Sequence, residues 1–129
     1  MGLSACPCGS GRTLDDCCGR FFDGSAAPDT AESLMRSRYS AYVLGEEDYL
    51  LDTWHPAFRP RQLMQVPGQK WLGLKIRATS GGLATDSTGT VEFVARFKVD
   101  GRGHRLHETS RFVCEAGHWY YTDGDLHSK

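Results

Sequence analysis

Apolar side chains recur along this chain with two different periods, and the change between them divides it. Met35, Tyr39, Tyr42 and Val43 fall at i, i+4, i+7 and i+8, one face of an α-helix. Ahead of them, Asp29-Thr30-Ala31-Glu32 fits a capping box, with an acceptor at the N-cap and a glutamate three residues on. Gly45 stands where a helix ends in a left-handed residue. Glu46-Glu47-Asp48 places three acids in a new first turn, where the helix dipole favours them. Leu50, Leu51 and Trp54 form the apolar side of this second helix, and Pro56 ends it. A short third helix or turn is expected over residues 60–65.

After Pro67-Gly68 the period becomes two. Leu72, Leu74 and Ile76 alternate with Trp71, Gly73 and Lys75. Val91, Phe93, Ala95, Phe97 and Val99 alternate with Glu92, Val94, Arg96 and Lys98. Both stretches read as half-buried strands. Asp100-Gly101-Arg102-Gly103 is a hairpin connection. The next strand, about 104–115, puts Leu106, Glu108, Ser110, Phe112 and Cys114 on one face. Ala116-Gly117 turns it into a last strand from His118 to Thr122. Helices followed by an antiparallel meander of three or four strands predict an α+β body, with the helices on one face of the sheet.

Neither period reaches the first 22 residues. They are rich in Cys and Gly, and Leu14, Phe21 and Phe22 cannot make a core alone. Segments this small need a metal or disulfides. The division is therefore 1–22 head, 23–29 linker and 30–129 body, within 129 residues. Cys6, Cys8, Cys17 and Cys18 lie within 13 residues, and Cys114 stands apart as a buried core thiol. Zinc takes four thiolates tetrahedrally, and Pro7, Gly9 and Gly11 suit the tight turn that Cys6-x-Cys8 requires. Thr13 caps a short helix over 14–16, with Cys17 and Cys18 in its last turn and Gly19 ending it. A redox site or a disulfide is the alternative, although an adjacent Cys17–Cys18 bridge would be strained. Four thiolates leave no open position, so the expected role is structural, with one zinc per chain.

The formal charge of −1 conceals a polarity: residues 1–29 sum to −2, 30–60 to −2 and 61–129 to +3. A zinc held by four thiolates takes the head to −4, with Arg12 and Arg20 placed to offset part of it. No apolar run approaches the ~20 residues of a membrane span. With no leader-like stretch at the start, a cytoplasmic, reducing setting is expected.

Cys6-Pro7-Cys8-Gly9-Ser10-Gly11, then Cys17-Cys18-Gly19, resembles the SEC-C zinc motif, named for the C-terminus of the protein-export ATPase SecA. SecA's own motif ends Cys-His, whereas here it ends Cys17-Cys18. The body is similar to the YchJ family through the run 34–42, Tyr49-Leu50-Leu51, Thr53-Trp54-His55-Pro56 and Trp119-Tyr120-Tyr121. The resemblance implies a zinc knuckle followed by a cone-shaped domain like nuclear transport factor two. In that fold a curved antiparallel sheet wraps helices and leaves a pocket.

A carboxylate facing an apolar interior is costly unless paired, so Glu108 beside Ser110 marks a candidate pocket. Arg38, Tyr42, Trp54 and His55 come from the helices such a sheet covers, and Trp119 joins them from the last strand. They read either as a ligand or acid–base site or as a buried ion pair among packed aromatics. His104, His107, His118 and His127 lack ligand spacing and read as surface residues. Three functions follow. The first is a protein-binding adaptor, its partner recruited by the zinc head. The second is a small-molecule-binding or enzymatic body. The third is nucleic-acid or ribosome association through Arg96, Lys98, Arg102, Arg105 and Arg111. The aromatics read as packed rather than displayed, which weighs against the third.

Overall fold

The Thr30 hydroxyl accepts the backbone N–H of Ser33 at 3.0 Å and starts the longest helix. The cap is thus Thr30, one residue later than the Asp29 of the capping-box reading. The computed structural model describes residues 4–61, 63 and 68–127. The elements are α1 (Gly19–Phe22), α2 (Ala31–Leu44), α3 (Glu47–Asp52), β1 (Lys70–Gly81), β2 (Thr88–Val99), β3 (Arg102–Glu115) and β4 (His118–Leu126). Gly45 ends α2 with φ 78°, as its position predicts. Helix α3 begins on Glu47 and Asp48 but ends at Asp52, four residues before Pro56. Residues 60, 61 and 63 carry no helix, and the rest of the expected 60–65 turn includes positions outside the described residues.

The four strands form one antiparallel sheet in the order β1-β2-β3-β4. Two-residue turns join the last three strands. Asp100-Gly101 and Ala116-Gly117 all have positive φ, the geometry that matches the twist of a hairpin. Both flanking strands are longer than the sequence suggests: β3 starts at Arg102 and β4 continues to Leu126.

One face of the sheet packs on α2. Ala31, Leu34, Met35 and Tyr39 of the helix meet Val91, Phe93, Ala95, Phe112 and Trp119. Tyr42 and Val43, further along the predicted apolar face, are instead more than a third exposed. The β1 pairing skips Leu72 between Trp71 and Gly73, and Arg77 between Ile76 and Ala78. Each skip is a bulge that bends its strand. The first bulge also reverses the expected alternation: Trp71 packs on the core with Leu74 and Ile76, and Leu72 is 50% exposed. On β4, Thr122 is the extra residue between the partners of Arg111 and Phe112. Chain segment 53–55 runs beside β4, with the Tyr121 N–H donating to Thr53 at 2.8 Å and the His55 N–H to Tyr121 at 2.8 Å. This connection closes the α3 end of the body onto the sheet.

The head is docked on the body. Phe22 meets the Tyr49 ring edge-on at 5.0 Å, and Leu74 packs against the cysteines. No described helix is long and apolar enough to cross a membrane.

Candidate functional site

Residues 5–13 fold back on themselves, with the Cys6 N–H donating to Arg12 at 2.9 Å and the Leu14 N–H to Ser4 at 2.9 Å. Gly9 and Gly11 take φ 79° and 87°, as the turn requires. No helix forms over 14–16, although Thr13 accepts the Asp16 N–H at 3.3 Å. Gly19 begins α1 rather than ending a helix. A Cβ there would lie 2.9 Å from the Leu14 carbonyl, which already accepts the Gly19 N–H. That close approach places Cys17 and Cys18 opposite Cys6 and Cys8.

All four sulfurs lie within 4.8 Å of one another and are buried. Cys8 and Cys17 are 3.7 Å apart, and Cys17 and Cys18 are 4.0 Å apart. A tetrahedron with metal–sulfur bonds of about 2.3 Å has edges of about 3.8 Å. The donor set therefore fits a metal ion, held by Cys6, Cys8, Cys17 and Cys18. All five cysteines are free, so the disulfide alternative is not adopted. Cys114 is half-buried against the core rather than fully buried.

Packing four thiols together polarises them. The Cys18 thiol donates to Cys8, and with the Ser10 and Cys6 donors this lowers Cys8 to about 4 despite its burial. The same bond raises Cys18, and burial raises Cys17. Hydroxyls supply further donors: Ser10 Oγ lies 3.2 Å from Cys17 and Ser40 Oγ 3.4 Å from Cys6. Arg12 and Arg20 donate to the carbonyls of Asp16 and Cys17 and brace the loop by its backbone. The cation from the body is Arg36. It donates to the Cys8 carbonyl at 2.8 Å and to Glu32 at 2.9 Å. Burial works against its charge, but Glu32 and Cys8 outweigh it and hold Arg36 above its usual value. Arg36 and Ser40 sit one helical turn apart on α2, on the face the head covers. Nothing in the local sequence links them to the cysteines.

Between α2 and the sheet is a cavity of about 350 Å³. Arg38, Tyr42, Trp54, Glu108 and Ser110 line it, as does Tyr121. Arg38 is only 5% exposed. Its guanidinium donates to the Leu50 carbonyl and to Thr53 Oγ1, both at 2.7 Å, and lies 4.7 Å from the Tyr121 ring and 5.2 Å from Trp54. Burial lowers its pKa, while surrounding tyrosines and Glu108 support its charge. Ser110 and Tyr121 both donate to Glu108 Oε2, at 2.6 and 3.3 Å. Burial and the negative charge of Glu108 raise the Tyr121 hydroxyl, so it stays a donor. Gly124 makes room for this carboxylate, because a Cβ there would run into Glu108.

Two predicted pocket residues lie elsewhere. His55 Nδ1 accepts the Ala57 N–H at 3.1 Å, which leaves the proton on Nε2, and Nε2 meets Glu115 at 2.9 Å. Its ring packs on Phe58 and Tyr120. The connection after α3 carries it past the cavity, so an acid–base pair of His55 with Glu108 is not formed. Trp119 packs in the core with Cys114 and Phe112, and does not line the cavity. The aromatic walls missed in the sequence are Tyr39, Trp71, Phe93 and Tyr121. Alternation over the last strand could have found Tyr121; the bulge hid Trp71.

His107 and His127 are not merely surface residues. Their rings stack at 4.1 Å, and His107 Nε2 lies 2.6 Å from Glu92, which holds Glu92 below its usual value. Nearly parallel rings point their nitrogens alongside each other rather than at one centre. The cluster is therefore read as a hydrogen-bonded stack and not as a second metal centre.

Residues 4–20 match the SEC-C motif, and residues 30–124 match the family described as YchJ, middle NTF2-like domain. A UPF0225 protein of Cupriavidus metallidurans is 55% identical over 97% of this chain and 91% of its own length. One from Streptomyces coelicolor is 52% identical over 98% of both. Among solved structures, a SEC-C motif containing protein from Rhodopseudomonas palustris, determined in solution, is 37% identical with a TM-score of 0.83, covering 95% of this chain and 98% of that one. A crystal structure of a sec-c motif containing protein from Psychrobacter arcticus is 29% identical with a TM-score of 0.78, covering 99% and 85%. With a SEC-C motif over residues 4–20, a YchJ-type NTF2-like domain over 30–124 and relatives this similar along nearly its whole length, the chain belongs to the UPF0225 proteins.

Proposed function

We propose that the body binds a small, flat, largely apolar organic anion, and that the head is a zinc-held clamp on the helix that supplies the binding cation. One observation carries the reading: Arg38 is buried at the cavity wall, bonded to neutral acceptors, with no carboxylate in ion-pair contact among the described residues. A buried cation of this kind favours a ligand carboxylate strongly. Trp54, Trp71 and Tyr121 offer flat apolar walls, and Glu108 accepts a donor from the other end of the ligand. Aromatic carboxylates such as benzoate and indole-3-acetate serve as probes. Each is expected to bind at least tenfold more tightly than its neutral amide and to shift the Trp54 and Trp71 indole N–H resonances. Arg38→Met should erase the preference. Equal binding of acid and amide, or no shift at millimolar probe, refutes the reading. Zinc is the ion that four thiolates in a closed tetrahedron suit best.

A second reading, recruitment of a protein partner beside the head, has its own support. The head covers Arg36 and Ser40 on α2, and the next turn of that helix presents Val43 and Leu44, 37% and 44% exposed. Val43→Asp/Leu44→Asp should abolish capture of such a partner without lowering metal content. Unchanged capture by this variant removes the reading.

A further inference from the structure

The face of the sheet turned away from α2 carries an arrangement that neither the head nor the cavity uses. Strand alternation puts Glu92, Val94, Arg96 and Lys98 of β2 there, opposite the core positions Val91, Phe93 and Ala95. Register places Lys70 beside Lys98, Arg105 beside Arg96, and Lys75 beside Val94. The bulged residue Arg77 joins Lys75, Arg96 and Arg105 around a shallow groove of about 260 Å³. Six exposed cations thus occupy three adjacent strands. Among the described residues none of the six makes an ion pair or a side-chain hydrogen bond. Glu92 acts on Arg77 through space, but its carboxylate is bonded to His107.

The sequence alone assigned this surface differently. Arg111 is taken out by Asp123 and Asp125, with contacts of 2.8 and 2.6 Å. Arg102 falls on the opposite parity of β3 from Arg105. Lys70, Lys75 and Arg77 replace them, because the register of β1 brings them alongside Arg96 and Lys98.

The patch is also open, and no aromatic residue lines its groove. A Cβ at Gly73 or Gly103 would meet nothing within 4 Å. Val94, the large apolar residue among the cations, is only 5% exposed. Protein interfaces depend on apolar and aromatic anchors in buried pockets; beside this patch the large exposed apolar side chain is Leu72, a single residue at the β1 bulge with no aromatic neighbour on the groove. A regular polyanion needs only unpaired cations at repeated spacing. Three strands by three rows span about 10 Å by 14 Å, a track for one strand rather than for a duplex.

We propose that this face binds the phosphate backbone of single-stranded nucleic acid, without reading its bases. Lys70, Lys98, Arg96, Arg105, Lys75 and Arg77 contact successive phosphates, and the glycine gaps let the backbone approach the sheet. The site is separate from the cavity, so it stands or falls independently of the ligand proposal.

The test is fluorescence anisotropy of a labelled oligouridine 12-mer with the full, metal-loaded chain between 50 and 200 mM KCl. About six contacts predict that log K falls against log salt with a slope near −4. Arg96→Gln/Arg105→Gln should weaken binding at 50 mM salt at least tenfold and bring the slope to about −3. Arg111→Gln should leave both unchanged, since its charge is already satisfied by Asp123 and Asp125. All of these side chains are surface groups, and unchanged melting of each variant confirms that the fold is intact. Absence of binding at 50 mM salt overturns the proposal, as does indifference to the double substitution. Equal competition by a duplex overturns the single-strand assignment, and equal competition by polyglutamate points instead to an acidic protein.

Discussion

Cys8→Ser is expected to release the bound metal, free the head from α2 and lower the melting temperature by roughly 10 °C. Cys8 has no exposure at all and sits at the centre of the four-thiol cluster. A serine there leaves three thiolates and an oxygen that binds zinc poorly. Structural zinc sites in small peptides bind with about 10–16 kcal/mol at neutral pH, and the head has no apolar core to replace that. Losing its order removes Phe22 from Tyr49, uncovers Leu74 and breaks the Arg36 bond to Cys8. At about 1.5–3 kcal/mol per large apolar side chain, discounted for partial burial, the body loses about 3 kcal/mol. That corresponds to a melting shift of roughly 10 °C for a domain of this size. Metal analysis, calorimetry and NMR of Tyr49 and the Leu74 methyls check it together. One metal per chain in the parent and none in the variant is the expected pair of results. An unchanged melting temperature with the metal gone would mean that the head contributes nothing to the body.

Arg38→Ala is expected to cost about 3 kcal/mol, and Arg38→Met about half as much. The guanidinium caps the end of α3 through the Leu50 carbonyl and Thr53 Oγ1. Hydrogen bonds from a charged donor contribute about 1.5–3 kcal/mol, and contacts over Trp54 and Tyr121 add about 0.5–2 kcal/mol. Alanine also leaves a void beside the Trp54–Tyr121 ring pair. Against these losses stands the relief of keeping a cation at 5% exposure. Methionine refills the volume but donates nothing, so it separates packing from charge. Thermal unfolding of the three proteins checks the order, and a methionine variant less stable than the alanine one contradicts it. The same pair tests the cavity, because both remove the charge that selects a carboxylate.

Local patterns read well where the physics is local. Gly45 needed a left-handed residue, the acids at 47–48 needed a helix start, and Val91, Phe93 and Ala95 needed one sheet face; all three features are present. Glu108 and Ser110 were placed on the inner face by alternation alone, and both line the cavity. Trp71 and Leu72 were exchanged because one extra residue in a ladder inverts every side chain beyond it. His55 was misplaced because its direction depends on how segment 53–55 pairs with β4, not on its neighbours in sequence.

The sequence by itself determined the four thiols of the candidate metal site and the order of the elements. Four thiols within 13 residues and two hydrophobic periods are short-range signals, carried by the residues that use them. Only the tertiary structure decided that the head is clamped by Arg36 and Ser40, that Arg38 is the cavity's buried cation, and that six cations share the outer face. Those facts depend on bulges, register and docking between distant segments. Such geometry emerges only when the whole chain settles how its apolar faces are buried together.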